Sequence, residues 1–390
     1  MAVQRSSLYA KEDRLLRRRK DAGIDLPFLF LLLTLLFLGL VMLYSASCVQ
    51  SAYDTAYRTT TLYLRKQLVC AVIGLAAFFL FSRVPTVLWY RLSWLLYGIS
   101  IGLLLFVLLI GEEVNGARRW ISIAGIQFQP SEIAKFTMIL VFSRLTRNYG
   151  QRARQFRFGV LGFGATLLGI LVPLALEKHL SAIMLMGMVA VVMMYVAGTD
   201  VRWLLAGAAA AAIFVLVYIR IMGYAGDRVT AWLHPERDPG DTGYQILQSL
   251  YAIGSGGLFG LGFGKSRQKY LYLPFQYNDY IFAVICEELG LVGAFGIIFL
   301  FSALIIRGYW IALRASDRFS TILAAGLVTL IAVQTILNLC VVTNLLPSTG
   351  IALPFFSYGG TALAVNLGEM GIVAHISRFR DKRNKQEASL

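Results

Sequence analysis

A chain of 390 residues that is 58% hydrophobic and only 15% charged is no soluble globular protein, since those are about half apolar and a quarter charged. Runs of ~20 apolar residues recur along it, the signature of many membrane-spanning helices. The net charge of +15 lies mostly in short segments between those runs, so it reports orientation in a membrane and not nucleic-acid binding.

In chain order, residues 1–24 form a basic N-terminal segment. The first span covers residues 26–47, too long for the apolar core of a cleaved signal. Further spans are predicted over residues 68–81, 92–110, 133–145, 158–176, 180–197 and 203–221. After a long loop come 280–306, 321–342 and 351–376. The predicted fold is therefore all-α and polytopic, with about ten transmembrane helices in one membrane domain (25–377) and a basic tail (378–390). Arg144, Arg147, Arg152, Arg154 and Arg157, then Arg307, Arg314 and Arg318, fall in alternate loops. That bias puts both termini in the cytoplasm and the loop over residues 222–279 outside. Within this loop, residues 244–253 read as an amphipathic helix. Its apolar face carries Ile246, Leu247, Leu250 and Ile253, with Gln245, Gln248 and Ser249 elsewhere. Cys48, Cys70, Cys286 and Cys340 form no CxxC pair, and His179, His234 and His375 are far apart. Neither a metal site nor a disulfide framework is indicated.

The stretch from Gly254 to Gly290 carries the chemistry. A glycine-rich segment runs into Lys265, Arg267 and Lys269, then Leu273-Pro274, Asp279, and an apolar run holding Glu287 and Glu288. A nucleotide-binding phosphate loop is excluded, because Phe259 stands where its first glycine belongs. Two readings of the loop remain: a flexible, solvated basic segment, or glycine amides and three cations facing a phosphate or pyrophosphate. Asp279 opens a helix, where it is either a favourable N-terminal charge or a general base beside the cationic loop. Glu287 and Glu288 are intramembrane carboxylates, which normally face a cavity or a cationic partner.

A second cluster lies over residues 115–135, with Arg118 and Arg119 outside and Glu132 and Lys135 three apart on one helix face. It reads as an internal ion pair or as a cationic wall facing the same ligand. A third, LLPSTGIALPFFSYGG over residues 345–360, interrupts the last span, as tolerated where backbone lines a cavity.

Five segments resemble the SEDS family (shape, elongation, division and sporulation). They are DLPFLFLLLTLLFLGLVMLYSAS, NGARRWISIAGIQFQPSEIAK, GYQILQSLYAIGSGGLFGLGFGKSRQK, the LP-x4-D-x-IFA-x3-EELGLVG run and LPSTGIALPFFSYGGTAL. The SRQK and PFFSYGG details resemble the division (FtsW) and sporulation (SpoVE) branch more than RodA. The resemblance implies ten transmembrane helices in the bacterial cytoplasmic membrane and polymerisation of lipid II into glycan strands at its outer face. It also implies a class B penicillin-binding protein as transpeptidase partner, with divisome or sporulation proteins around it. The family's essential aspartate matches Asp279. The candidate substrate-binding residues are Arg118, Gln129, Glu132, Lys135, Lys265, Arg267, Lys269 and Ser357. Two departures stand out. Phe275, Gln276, Tyr277 and Asn278 replace the usual ExHT before the aspartate, and Lys178-His179-Leu180-Ser181-Ala182 replaces a PDxGT-like motif.

Residue chemistry supports this activity independently. Inverting glycosyl transfer needs a base for the acceptor proton and stabilisation of the leaving charge. Asp279 beside a basic loop supplies both, while a divalent cation (Mg or Mn) is compatible with the site but not demanded by it. Two rivals remain open: a lipid II flippase using Glu132, Lys135, Glu287 and Glu369 as a polar path, and a non-catalytic scaffold for the transpeptidase.

Overall fold

The computed structural model describes residues 23–55, 57–114, 117–123, 126–207, 209, 231–237 and 243–379. The chain is a bundle of long helices. It begins with α1 (Leu26–Asp54), α2 (Leu62–Phe81) and α3 (Thr86–Ile110). A small antiparallel sheet follows, with β1 (Glu112–Val114), β2 (Ala117–Ile123) and β3 (Ile126–Phe128) in the order β1-β2-β3. Then come α4 (Pro130–Tyr149), a π-helical turn leading into α5 (Phe163–Leu176), and α6 (Leu180–Ala197). The long loop contains α7 (Tyr244–Gly256). After it run α8 (Ile281–Leu313), α9 (Arg318–Val342) and α10 (Gly360–Arg378).

Seven of the described helices are long and apolar enough to cross a membrane: α1, α2, α3, the Arg157–Leu176 segment, α6, α8 and α9. Helices α4 and α10 are of similar length but more polar, and they are buried along most of their course. A helix enclosed by others needs no continuous apolar surface, so it can carry Glu132, Lys135 and Glu369 through the interior. Most of the predicted 203–221 span lies outside the described residues, as do residues 1–22 and 380–390.

Two features correct the sequence reading. Residues 112–114, 117–123 and 126–128 form the sheet where only a loop was expected. The last span is helical only from Gly360, and residues 351–359 are irregular backbone. That segment is buried from Leu353 to Ser357, so its polar groups are met by protein, as the membrane interior requires. Helix α1 passes it closely: a methyl on Gly39 would stand 2.3 Å from the Phe355 carbonyl oxygen. At the other end of the bundle Asp25 caps α1 by accepting from Phe28 N (3.1 Å). The same carboxylate takes a two-point contact from Arg307 of α8, at 2.9 and 2.8 Å.

Candidate active site

The glycine-rich loop folds back onto the first turns of α8. Helix α8 breaks at Gly290 (φ 67, ψ −167), and the loop crosses it there. Leu261 N and Gly262 N donate to the carbonyls of Glu287 (2.9 Å) and Glu288 (3.0 Å), and Leu291 N and Val292 N donate back to Gly257 and Leu258. The crossing leaves no room for side chains. A methyl on Gly260 would meet the Glu288 carbonyl oxygen at 2.1 Å, and Gly260 itself has φ +77.

The anion this loop cradles is the protein's own. Glu287 accepts from Arg267 N (2.9 Å), Gln268 N (3.3 Å) and Ser266 Oγ (2.5 Å). Glu288, fully buried, accepts from Ser45 Oγ of α1 (2.7 Å), Ser266 N (3.3 Å) and Lys269 Nζ (3.1 Å). Lys269 also donates to the Gly264 carbonyl (2.5 Å) and is only 2% exposed. The expectation that Lys269 faces an external phosphate is therefore revised. A cation this deep is held by its carboxylate partner, and it pins the loop to α1 and α8. Lys265 and Arg267 keep exposed side chains.

Asp279 is half-buried at the mouth of α8. Its position is set by backbone brackets. Asn338 of α9 donates from Nδ2 both to the Asp279 carbonyl and to the Ile351 carbonyl, each at 2.7 Å. Ser357 Oγ donates to the Asn278 carbonyl (2.6 Å) and accepts from Leu353 N (2.8 Å). Tyr358 N donates to the Tyr277 carbonyl (2.8 Å), and Gln67 of α2 bonds both Ser357 O and Gly359 N. The irregular 351–359 segment thus works as a brace for Asp279. A methyl on Gly350 would stand 3.3 Å from Asp279 Oδ2. The carboxylate therefore lies against the Thr349-Gly350 segment, and Ser181 at the start of α6 donates to the Thr349 carbonyl.

Four residues before Ser181 lies a second polar group. Glu177 is 2% exposed, and burial raises its carboxyl to about 8 against the opposing charge of Arg119. His179 Nδ1 stands 4.0 Å from Glu177. Burial, with the charges of Arg119 and Lys135, pushes its imidazole down to about 3. Both groups are therefore mostly uncharged near neutrality. Arg119 donates to the carbonyls of Glu177 and Lys178. On α4, Glu132 and Lys135 form a buried ion pair at 2.8 Å, within electrostatic reach of Glu369 on α10. Arg118 is exposed on β2, and Gln129, just before α4, donates its backbone N–H to Thr361 Oγ1 (3.4 Å). Among the described residues no three His, Cys, Asp or Glu side chains converge as a metal-ligand set.

The family of FtsW, RodA and SpoVE, described as cell cycle proteins, matches residues 26–382. The chain belongs to this family. It is 38% identical over 361 residues to the "Probable peptidoglycan glycosyltransferase FtsW" of Trichlorobacter lovleyi, covering 91% of this chain and 93% of that one. To Stage V sporulation protein E of Bacillus subtilis it is 37% identical over 371 residues, covering 92% and 98%. Among solved structures, one described as coordinating polymerization and crosslinking in a peptidoglycan synthase complex superposes with a TM-score of 0.78 at 29% identity, covering 93% and 99%. The rod shape determining protein RodA of Thermus thermophilus gives 0.67 at 28% identity, covering 92% and 99%.

Against this family background, the structure joins some predicted site residues and separates others by role. It places Asp279 beside the LPSTG segment and pairs Glu132 with Lys135. It uses Ser357 and Lys269 to build the site and leaves Lys265, Arg267 and Arg118 exposed. Sequence reasoning missed Asn338, Gln67 and Ser45. Each is a polar residue inside an apolar helix, a signal that was present but was not singled out.

Proposed function

We propose that this protein is a peptidoglycan glycosyltransferase that polymerises lipid II at the outer face of the bacterial cytoplasmic membrane. The observation that carries the reading is Asp279, a half-buried carboxylate braced by backbone contacts from α9 and the 351–359 segment, in a chain of this family. As base it takes the proton of the acceptor 4-hydroxyl. The hydroxyl oxygen attacks the donor's anomeric carbon, the bond to the pyrophosphate breaks, and the prenyl pyrophosphate leaves. Exposed Lys265, Arg267 and Arg118 offer the charge that stabilises the leaving group, and the buried Glu132–Lys135 pair lines the polar interior behind it. A divalent cation can share the leaving-group charge.

The reading extends to partner and orientation. A class B penicillin-binding protein crosslinks the product, divisome or sporulation proteins recruit the pair, and both termini face the cytoplasm. The relatives' names support polymerisation over lipid II transport or a purely scaffolding role. The test is polymer formation from lipid II by the purified protein with and without its transpeptidase. Glycan strands are expected. Lipid II movement across vesicles without polymer in either arm would refute the reading.

A further inference from the structure

At the end of the bundle opposite Asp279, the 3-10 turn that follows α4 (Gly150–Arg154), the C-terminus of α6 and the N-terminus of α9 line a half-open cavity of about 330 Å³. Its walls are Gly150, Gln151, Arg154, Ala197, Gly198 and Arg318. Helix α9 fixes the separation. It starts at Arg318, and its Asn338 holds the Asp279 carbonyl, roughly 30 Å away at 1.5 Å per residue, about the thickness of the hydrocarbon layer. Two arginines line the cavity and no acid does. Arg154 is exposed and has no acidic partner among the described residues. Arg318 reaches in through Nη2, 3.3 Å from the Ala197 carbonyl. The neighbouring Asp317 is engaged in capping α9, accepting from Ser320 N (3.1 Å) and Ser320 Oγ (2.6 Å). Two helix C-termini and one N-terminus meet here, so the dipoles leave a net of about half a negative charge, which the two full guanidinium charges outweigh.

The surroundings are those of a membrane interface. Phe156, two residues from Arg154, packs its ring 4.7 Å from that of Trp203, and both side chains are exposed. Such aromatic pairs mark headgroup level in membrane proteins. Leu161, Val201 and Leu205 present apolar surface just beyond them. The cavity suits a headgroup, while acyl chains would run along these side chains.

We infer that this cavity binds the phosphate of an anionic glycerophospholipid headgroup in the leaflet opposite the active site. Arginine forks match phosphate oxygens, and basic pockets between transmembrane helices at such a surface bind lipid phosphates. A soluble phosphate would satisfy the same arginines but would not use the aromatic pair or the apolar strip.

The test is native mass spectrometry of the full-length protein released from nanodiscs of phosphatidylglycerol and phosphatidylcholine. Bound phosphatidylglycerol is expected to survive in the wild type and to fall about tenfold in occupancy in Arg154→Gln, the effect of losing one charge-assisted contact. Arg154 makes no side-chain hydrogen bond or ion pair among the described residues, and Arg83→Gln, an exposed arginine at the same end of the bundle, should leave the adduct intact. Equal adducts in wild type and Arg154→Gln would overturn the inference. So would an Arg154-dependent adduct with inorganic phosphate in lipid-free detergent without any preference for phosphatidylglycerol, which would assign the cavity to free phosphate.

Discussion

Replacing Lys269 with Met separates a structural cation from a ligand-binding one. Lys269 is 2% exposed and bonds Glu288, Ser45 and Gly264, while Glu288 is fully buried. Met fills the space but leaves Glu288, among the described residues, with Ser45 Oγ and Ser266 N as donors. Stranding one partner of a buried ion pair costs about 3–5 kcal/mol. Adding Glu288→Gln to Lys269→Met removes the stranded charge and should recover much of that loss. Lys265→Gln and Arg267→Gln, both at exposed positions, should change stability by no more than about 0.5 kcal/mol. The assay is unfolding of the detergent-solubilised protein followed through its tryptophans, for the four variants and wild type. A Lys269→Met protein as stable as wild type, yet weak in binding lipid II, would refute the structural role and return Lys269 to the substrate.

Other consequences follow from the same contacts. Gly256→Ala puts a methyl 2.0 Å from the Cys286 carbonyl oxygen. It should push α7 off α8 at a cost of about 1–3 kcal/mol, read as a lower unfolding midpoint and faster proteolysis of the loop. Ser357→Ala and Asn338→Ala remove brackets around Asp279, and each should reduce polymerisation with little change in lipid II affinity. Glu177 and His179 make stability depend on pH in opposite senses. The carboxyl is raised to about 8 in the fold, so its contribution is present below the ordinary range near 4.5 and is lost as pH rises to 8. The imidazole is lowered to about 3, so its contribution is present above about 6.5 and is lost as pH falls. Glu177→Gln should therefore flatten the stability profile between pH 6.5 and 8, uncover the rise due to His179 between about 4.5 and 6.5, and leave the limb below 4.5 unchanged, as measured by unfolding midpoints across pH.

Much of the fold was legible because apolar runs of bilayer length need no tertiary context to be recognised. Asp279 was legible for a different reason: the LP-x4-D-x-IFA segment resembles the family's and keeps its aspartate at the start of such a run. The fate of the basic loop was not. Lys269 looks like its neighbours Lys265 and Arg267 in sequence. Its partner Glu288 comes within reach only because α8 breaks at Gly290 and the glycine segment crosses there. Helix α7 shows a similar limit. Its existence followed from periodicity, but Ser249 faces inward and bonds the Val342 carbonyl of α9 at 2.8 Å, and the buried face carries small Ser249, Ala252 and Gly256, the last set against the Cys286 carbonyl of α8. The start of α10 was placed too early because residues 351–359 are as apolar as a helix. Their shape is instead dictated by polar contacts to Asn278, Asn338 and Gln67.

The central claim is that Asp279 is the base for glycan polymerisation, and Asp279→Asn tests it most directly. Asn keeps the shape but cannot take a proton at neutral pH, and it serves a helix start about as well as Asp. The brace contacts use the Asp279 backbone carbonyl, so they survive the change. Polymer from lipid II should be measured with the purified variant and its transpeptidase, beside the unfolding midpoint of the same preparation. The account predicts an unchanged midpoint and polymerisation lowered about 10²–10⁴-fold. Near-normal polymerisation by a folded variant would contradict it.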